Sequence, residues 1–456
     1  MKEFCSKQFS LSGMFLMSVG WILVTSCSNG LNLKETLQDK SQIHFYGPDN
    51  RSAQMTFSAV IEVTSVQPLV SADAVIKGRR LKTTEKHISS QIQHLFGALK
   101  EHPDYVNNPG IIQNKGSLHI TGAKLIDSKT AEVSYTYSDK VVFQKAILDK
   151  PSKTIEFWLP RNPKTIYKKG FVPGSKANSC TDAHYNTEGD FWYFWNPFQE
   201  GCPIQESDLE KVKADLKVLP QTKNTFPYYG ELLGDNGNGR QFHAVYIAGI
   251  DDNFDATDLG RKTFNDVAAG LVQDGYRATS TAQNASVYEK SFDGFDARID
   301  MYLLDPNSTD FVTKAAEGME TGDVFIYDGH SGLGGYLDIG RFSRDIGRSL
   351  KLPVDKQQVF YFNGCSTYSY YNADYFTLKA TAQDPAGTRK LDIVTTSIGA
   401  DFAVGARQDL VLLRDLTQNA RPSWQTILTD MYNIDPSLSP LNHINGDEDN
   451  PTSPNP

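Results

Sequence analysis

The chain has 456 residues, enough for more than one hydrophobic core. Acidic residues outnumber basic ones, 54 against 45, for a formal net charge of −9. That balance offers no basic surface and argues against nucleic acid as a partner; an acidic excess of this size otherwise implies only solubility.

In chain order, Lys2 and Lys7 precede an apolar run from Leu11 to Val24, which ends in Leu23-Val24-Thr25-Ser26-Cys27. A charged start, a short apolar middle and a small-residue end make residues 1–26 an export signal, with an apolar part too short for a membrane span. The last five residues resemble the lipobox of bacterial lipoproteins, which implies that Cys27 is lipidated and becomes the first residue of the mature chain. The expected location is then a bacterial membrane face outside the cytoplasm, with Ser28 suited to outer-membrane sorting in a Gram-negative cell. Residues 27–50 are polar and read as a tether from the membrane to the folded body.

Residues 51–170 read as a small α+β domain. Met55 to Ser65 is β-rich. Thr83 to Lys100 places Ile88, Ile92, Leu95, Phe96 and Leu99 on one helical face. Leu118 to Leu125, Ala131 to Phe143 and Thr154 to Leu159 read as strands, with Tyr135 and Tyr137 in period-two alternation. Residues 171–233 read as a disulfide-closed aromatic linker region, with Trp192, Tyr193, Phe194 and Trp195 as a local core plugged between domains rather than a ligand site. In it Cys180, Asp182, His184 and Cys202 could be offered as zinc ligands, but structural zinc sites use closely spaced, reduced cysteines. In an oxidising compartment Cys180 and Cys202 are expected to pair instead, closing a loop of about 20 residues worth roughly 3 kcal/mol. Cys365 is then left as an unpaired thiol in an exported protein.

From 234 to 440 the pattern is alternating strand and helix: strands at Phe242 to Ile250, Tyr276 to Ser280 and Ile299 to Leu304, and helices at Leu259 to Gln273 and from Ser308 to about Met319. Two short apolar runs follow, Val324-Phe325-Ile326-Tyr327 and Val359-Phe360-Tyr361-Phe362. A strand from Leu391 to Ile398 and helices at Val404 to Gln418 and Pro422 to Tyr432 close the unit. The expected fold is α/β, a mostly parallel sheet sandwiched by helices. Residues 441–456, acidic and Pro-rich, read as a disordered tail.

Each of the two apolar runs stops at a glycine followed by a reactive residue, Gly329-His330 and Gly364-Cys365. The segment between them is long enough for the crossover that parallel neighbours need. Catalysis gathers at the carboxyl ends of such strands, so His330 and Cys365 form a candidate dyad. A thiolate attacks a carbonyl far better than a thiol, and an imidazole can take and return the proton.

The sequence of features Leu259-Gly260, Asn265-Asp266-Val267, Leu271, Gly275-Tyr276, Gly322-Asp323 and Gly329-His330-Ser331-Gly332 resembles the caspase-like cysteine peptidases, among them metacaspases, gingipains and clostripain. The resemblance spans about Phe242 to Ile398. It implies Cys365 as nucleophile, His330 as general acid/base, an oxyanion hole from the N–H groups of Ser331 and Cys365, a peptide or protein substrate, and no metal or cofactor. Ser331 stands where that family commonly has Gly. Asn363 stands where metacaspases and clostripain-like enzymes have an aspartate that helps bind basic side chains; Asp401 or Asp338 could replace it only if loops bring them in. Arg240 and Arg407 are present, yet no motif assigns either to a pocket for acidic side chains.

Three other readings stand beside this one. A scaffold without catalysis would keep the fold as an envelope or binding protein. Gly329-His330-Ser331-Gly332-Leu333 also approximates a serine-hydrolase elbow, with Asp392 and His443 following in order, but Leu333 occupies the position that requires Gly. Asp251-Asp252-Asn253-Phe254-Asp255 begins like a calcium loop; Ala256 and Lys262 at its sixth and twelfth positions exclude an EF-hand, leaving a solvated turn with capping residues or at most loose calcium binding.

Overall fold

The computed structural model describes residues 47–100, 110–112, 116–149, 154–171, 180–181, 187–219, 224–233 and 240–454. The expected export signal, the lipid attachment at Cys27 and nearly all of the tether lie outside them, as do Asp182 and His184.

A first, antiparallel sheet is built from β1 (Asn50–Thr64), β2 (Gly110–Ile112), β3 (Ser117–Leu125), β4 (Thr130–Gln144), β5 (Thr154–Pro160) and β6 (Leu209–Val218). Their order is β2-β4-β1-β6-β5, with β3 also on β4. One face is covered, so alternate residues point inward: Ala131, Val133, Tyr135 and Tyr137 of β4 are buried while their neighbours are half-exposed. The expected helix starts earlier, at Gly78, and is interrupted at His94, whose ring bonds the Ser90 carbonyl at 2.8 Å; Leu95–Lys100 forms a second helix. Ile88, Ile92, Leu95, Phe96 and Leu99 are all buried.

The boundary expected near residue 170 does not hold. β6 lies in the supposed linker yet pairs with both β1 and β5. Its inward residues Val212, Ala214 and Leu216 alternate with Lys211, Lys213, Asp215 and Lys217, and those outward charges hid a strand that is apolar on one face only. The aromatic stretch is likewise core: Phe191, Tyr193 and Trp195 are buried with the first sheet, beside the Cys180–Cys202 disulfide.

The second sheet comprises β7 (Arg240–Gly249), β8 (Arg277–Ala282), β9 (Ala285–Phe292), β10 (Phe295–Leu304), β11 (Val324–Asp328), β12 (Gln358–Asn363), β13 (Leu391–Thr396) and β14 (Asn442–Asn445), in the order β14-β13-β12-β11-β7-β10-β9-β8. The run from β13 to β10 is parallel and the flanking strands are antiparallel. Helices Leu259–Gln273, Phe402–Thr417 and Trp424–Asn433 cover one face. Thr309–Thr321 and Ile339–Ile346 cover the other. Ser308 caps the first of these by accepting from the Phe311 N–H. This is an α/β fold.

The tail expected to be disordered is ordered through residue 454. Asn442–Asn445 pairs with β13, the Thr225 hydroxyl donates to Asp447, and the Asn450 amide donates to the buried Asp392 carboxyl at 2.8 and 2.9 Å. Polar composition did not prevent ordering because these polar groups found buried partners.

Candidate active site

β11 and β12 run in register, with Asp328 opposite Asn363, and the Gly329 N–H donates to the Asn363 carbonyl at 3.0 Å. The chain therefore leaves both strands at one edge, carrying His330 and Cys365 out side by side. A Cβ on Gly364 would lie 2.6 Å from the Gly329 carbonyl oxygen, so only glycine lets the two turns come this close. Both residues line one cleft of about 390 Å³, together with Asp251, Lys262, Asp266, Asp328, Asn363, Asp401 and Phe402. Of the two proposed substitutes for the missing aspartate, Asp401 lines the cleft and Asp338 does not.

His330 is oriented by a residue that the sequence pattern assigns only to an acidic turn. Its Nε2 lies 2.8 Å from Asp251 Oδ1, and its ring meets the edge of Phe402 at 5.5 Å between centroids. Asp251 follows β7, the neighbour of β11 on the side away from Cys365. Its loop is wound around Asp258, whose carboxylate accepts from the N–H groups of Asp251, Asp252, Asn253 and Arg261. Burial pushes the Asp258 carboxyl up, but these donors outweigh it and hold the group below its usual range. The loop thus spends one carboxylate on its own backbone and a second on His330. The sequence places Asp251 just past a strand end, but only the strand order sets that strand beside the one carrying His330.

Beneath the cleft lies a second unpredicted feature, a pair of buried carboxyls. Asp328 and Asp409 both face the Asn363 amide, which donates to Asp328 Oδ2 at 3.3 Å and to Asp409 Oδ1 at 3.1 Å. Burial raises both carboxyls, and the charge of Asp409 raises Asp328 further. A Cβ on Gly405 would lie 2.4 Å from Asp328 Oδ2, which shows how tightly the helix Phe402–Thr417 is laid over the pair.

The serine-hydrolase alternative is not assembled. Ser331 is buried, and Asp392 is aligned with Val359 at the opposite end of the strands, about 13 Å away along the sheet at 3.3 Å per residue. Asp392 is held there by Asn450 and Gln357. Among the candidate oxyanion donors, the Ser331 nitrogen lies 3.6 Å from the position of a Gly364 Cβ, beside the turn that carries Cys365, and the Ser331 carbonyl is fixed by the Tyr371 hydroxyl at 2.7 Å.

No family model matches the chain, and no curated protein matches it.

Proposed function

We propose that the chain is a cysteine-type endopeptidase with a caspase-like α/β core, exported and held to a bacterial membrane by lipid at Cys27. The observation that carries the reading is the ordered line Asp251, His330, Cys365 across three adjacent parallel strands, opening on a single cleft. With Nε2 engaged by Asp251, Nδ1 is the nitrogen of His330 that exchanges protons with the reaction. Cys365 Sγ attacks the scissile carbonyl carbon, and its proton passes through His330 to the departing amine. Water, deprotonated by His330, then hydrolyses the thioester and restores the thiol. The N–H groups of Ser331 and Cys365 supply hydrogen bonds to the carbonyl oxygen as it gains charge.

The cleft presents Asp266 and Asp401 against Lys262, the one lysine or arginine among its lining residues. A basic side chain before the scissile bond suits that balance. Asn363 lacks the carboxylate that metacaspases carry on the nucleophile strand, and Asp401, which lines the same cleft, is the carboxylate placed to stand in for it.

The test is a peptide-based, thiol-directed probe together with a peptide library. Labelling at Cys365 that weakens in His330→Ala, and cleavage lost in Cys365→Ala, support the peptidase. Equal labelling of wild type and His330→Ala, with no peptide cleaved, favours a scaffold that binds without catalysis.

A further inference from the structure

The residue after the nucleophile is where the two halves of the molecule meet. Ser366 is fully buried and adopts a left-handed backbone conformation, φ 58 and ψ 28, that non-glycine residues rarely take. Its N–H is held by the Ile398 carbonyl of its own sheet at 3.0 Å. Its hydroxyl is held from the other half. Tyr193 Oη lies 3.0 Å from Ser366 Oγ, and Lys100 Nζ donates to the same oxygen at 3.3 Å. Lys100 also lies 4.3 Å from the centre of the Tyr193 ring, so the cation and the phenol are fixed to each other as well as to the serine.

Neither partner is incidental to its own neighbourhood. Tyr193 is carried by the loop that the Cys180–Cys202 disulfide closes, and Lys100 ends the helix Leu95–Lys100. Just past the nucleophile turn, Tyr368 is buried in the first sheet's core and Tyr370 stacks on Phe96 with rings 5.8 Å apart. The sequence pattern alone gives the amino-terminal half no role and the aromatic stretch none beyond filling.

We infer that Tyr193 and Lys100 are positioning residues for Cys365: through the Ser366 hydroxyl they hold the strained turn that aims the thiol at the cleft. The inference rests on the peptidase reading for its consequence in turnover, though the geometry of the thiol can be read without it. A backbone held in a sparsely populated conformation persists only while its surroundings fix it, and a small misplacement of a reacting atom is costly in rate.

The experiment is a double-mutant cycle on the full chain with Tyr193→Phe, Ser366→Ala and the pair, each checked for an unchanged thermal midpoint. Two rates are measured: alkylation of Cys365 by iodoacetamide, located by peptide mass mapping, and hydrolysis of the best peptide from the library. Each single variant should lower the alkylation rate and kcat about tenfold with KM unchanged, and the double variant should lose no more than either single one. Wild-type rates in both single variants, or losses that multiply in the double variant, overturn the positioning role. If wild type cleaves no peptide while Tyr193→Phe still slows alkylation of Cys365, the peptidase reading fails and the positioning stands. Robust cleavage that is indifferent to Tyr193→Phe and Ser366→Ala has the reverse meaning.

Discussion

The two sheets solve different burial problems. In β4 the inward and outward residues alternate, whereas every residue of β11, β12 and β13 is buried. Central strands covered on both faces meet solvent only at their ends, and Asp251, His330 and Cys365 all sit just beyond the ends of three adjacent strands at the centre of this sheet. A sheet covered on one face offers no such convergence; its contribution is a rigid body to lean on, through Lys100 and the loop bearing Tyr193. The proposed chemistry belongs to the α/β sheet, and the inferred support comes from the antiparallel one.

The largest expected effect lies at the strand ends. On the proposed peptidase reading, Cys365→Ala or His330→Ala should cost at least about 10³-fold in kcat/KM, because a nucleophile and its base act as one unit. Asp251→Ala should cost about 10- to 100-fold, since it removes orientation rather than chemistry. Melting temperatures should stay close to wild type for Cys365→Ala and His330→Ala, whose side chains are partly exposed. A large stability loss in either would mean that these residues belong to the core rather than to a site.

Next in size is an alanine scan of one strand from each sheet, read by denaturant midpoint. Along β12, Phe360→Ala and Phe362→Ala should each cost about 3–5 kcal/mol, with no tolerant position between them at Tyr361. Along β1 the loss should alternate: Phe57→Ala about 3–5 kcal/mol, Ser58→Ala within about 0.5 kcal/mol. Alternation in β12 would mean that one face of the second sheet is open, and the account of why the site sits at its edge would fail.

Much of this was legible in sequence because fully buried parallel strands read as unbroken apolar runs. The strands at Val324 and Val359, the glycine that ends each, and the helix Leu259–Gln273 follow from local pattern alone. β6 and β9 were missed for the converse reason: with one face in solvent, Lys211, Lys213, Lys217, Glu289 and Lys290 break up the apolar signal. The site divided in the same way. His330 and Cys365 announce themselves beside glycines, but the roles of Asp251, Asp409 and Tyr193 depend on which strands are neighbours and which loop folds back. Only the register of the sheet supplies that information.

The smallest expected effect concerns the carboxyl pair under the cleft. Burial raises Asp409 to about 6 and raises Asp328 as well, above an unfolded value near 4. Between those values the folded chain holds more protons than the unfolded one, so the pair's contribution to stability is greatest on the acid side and falls as pH rises through that window. Asp409→Asn preserves the shape and can still accept from the Asn363 amide, but it removes one ionisation. The fall in stability between about pH 4.5 and 7.5 should therefore shrink relative to wild type by about 1–3 kcal/mol, since each tenfold change in proton affinity between the folded and unfolded chain is worth about 1.4 kcal/mol. Asp49, Asp392 and Asp415 are raised by burial too and remain in both proteins, so the difference between the two curves isolates the pair. Parallel curves would show that neither carboxyl is strained by its surroundings. The covered sheet would then enclose a charge without penalty, and burial on both faces could not be what drives ionised groups out to its ends.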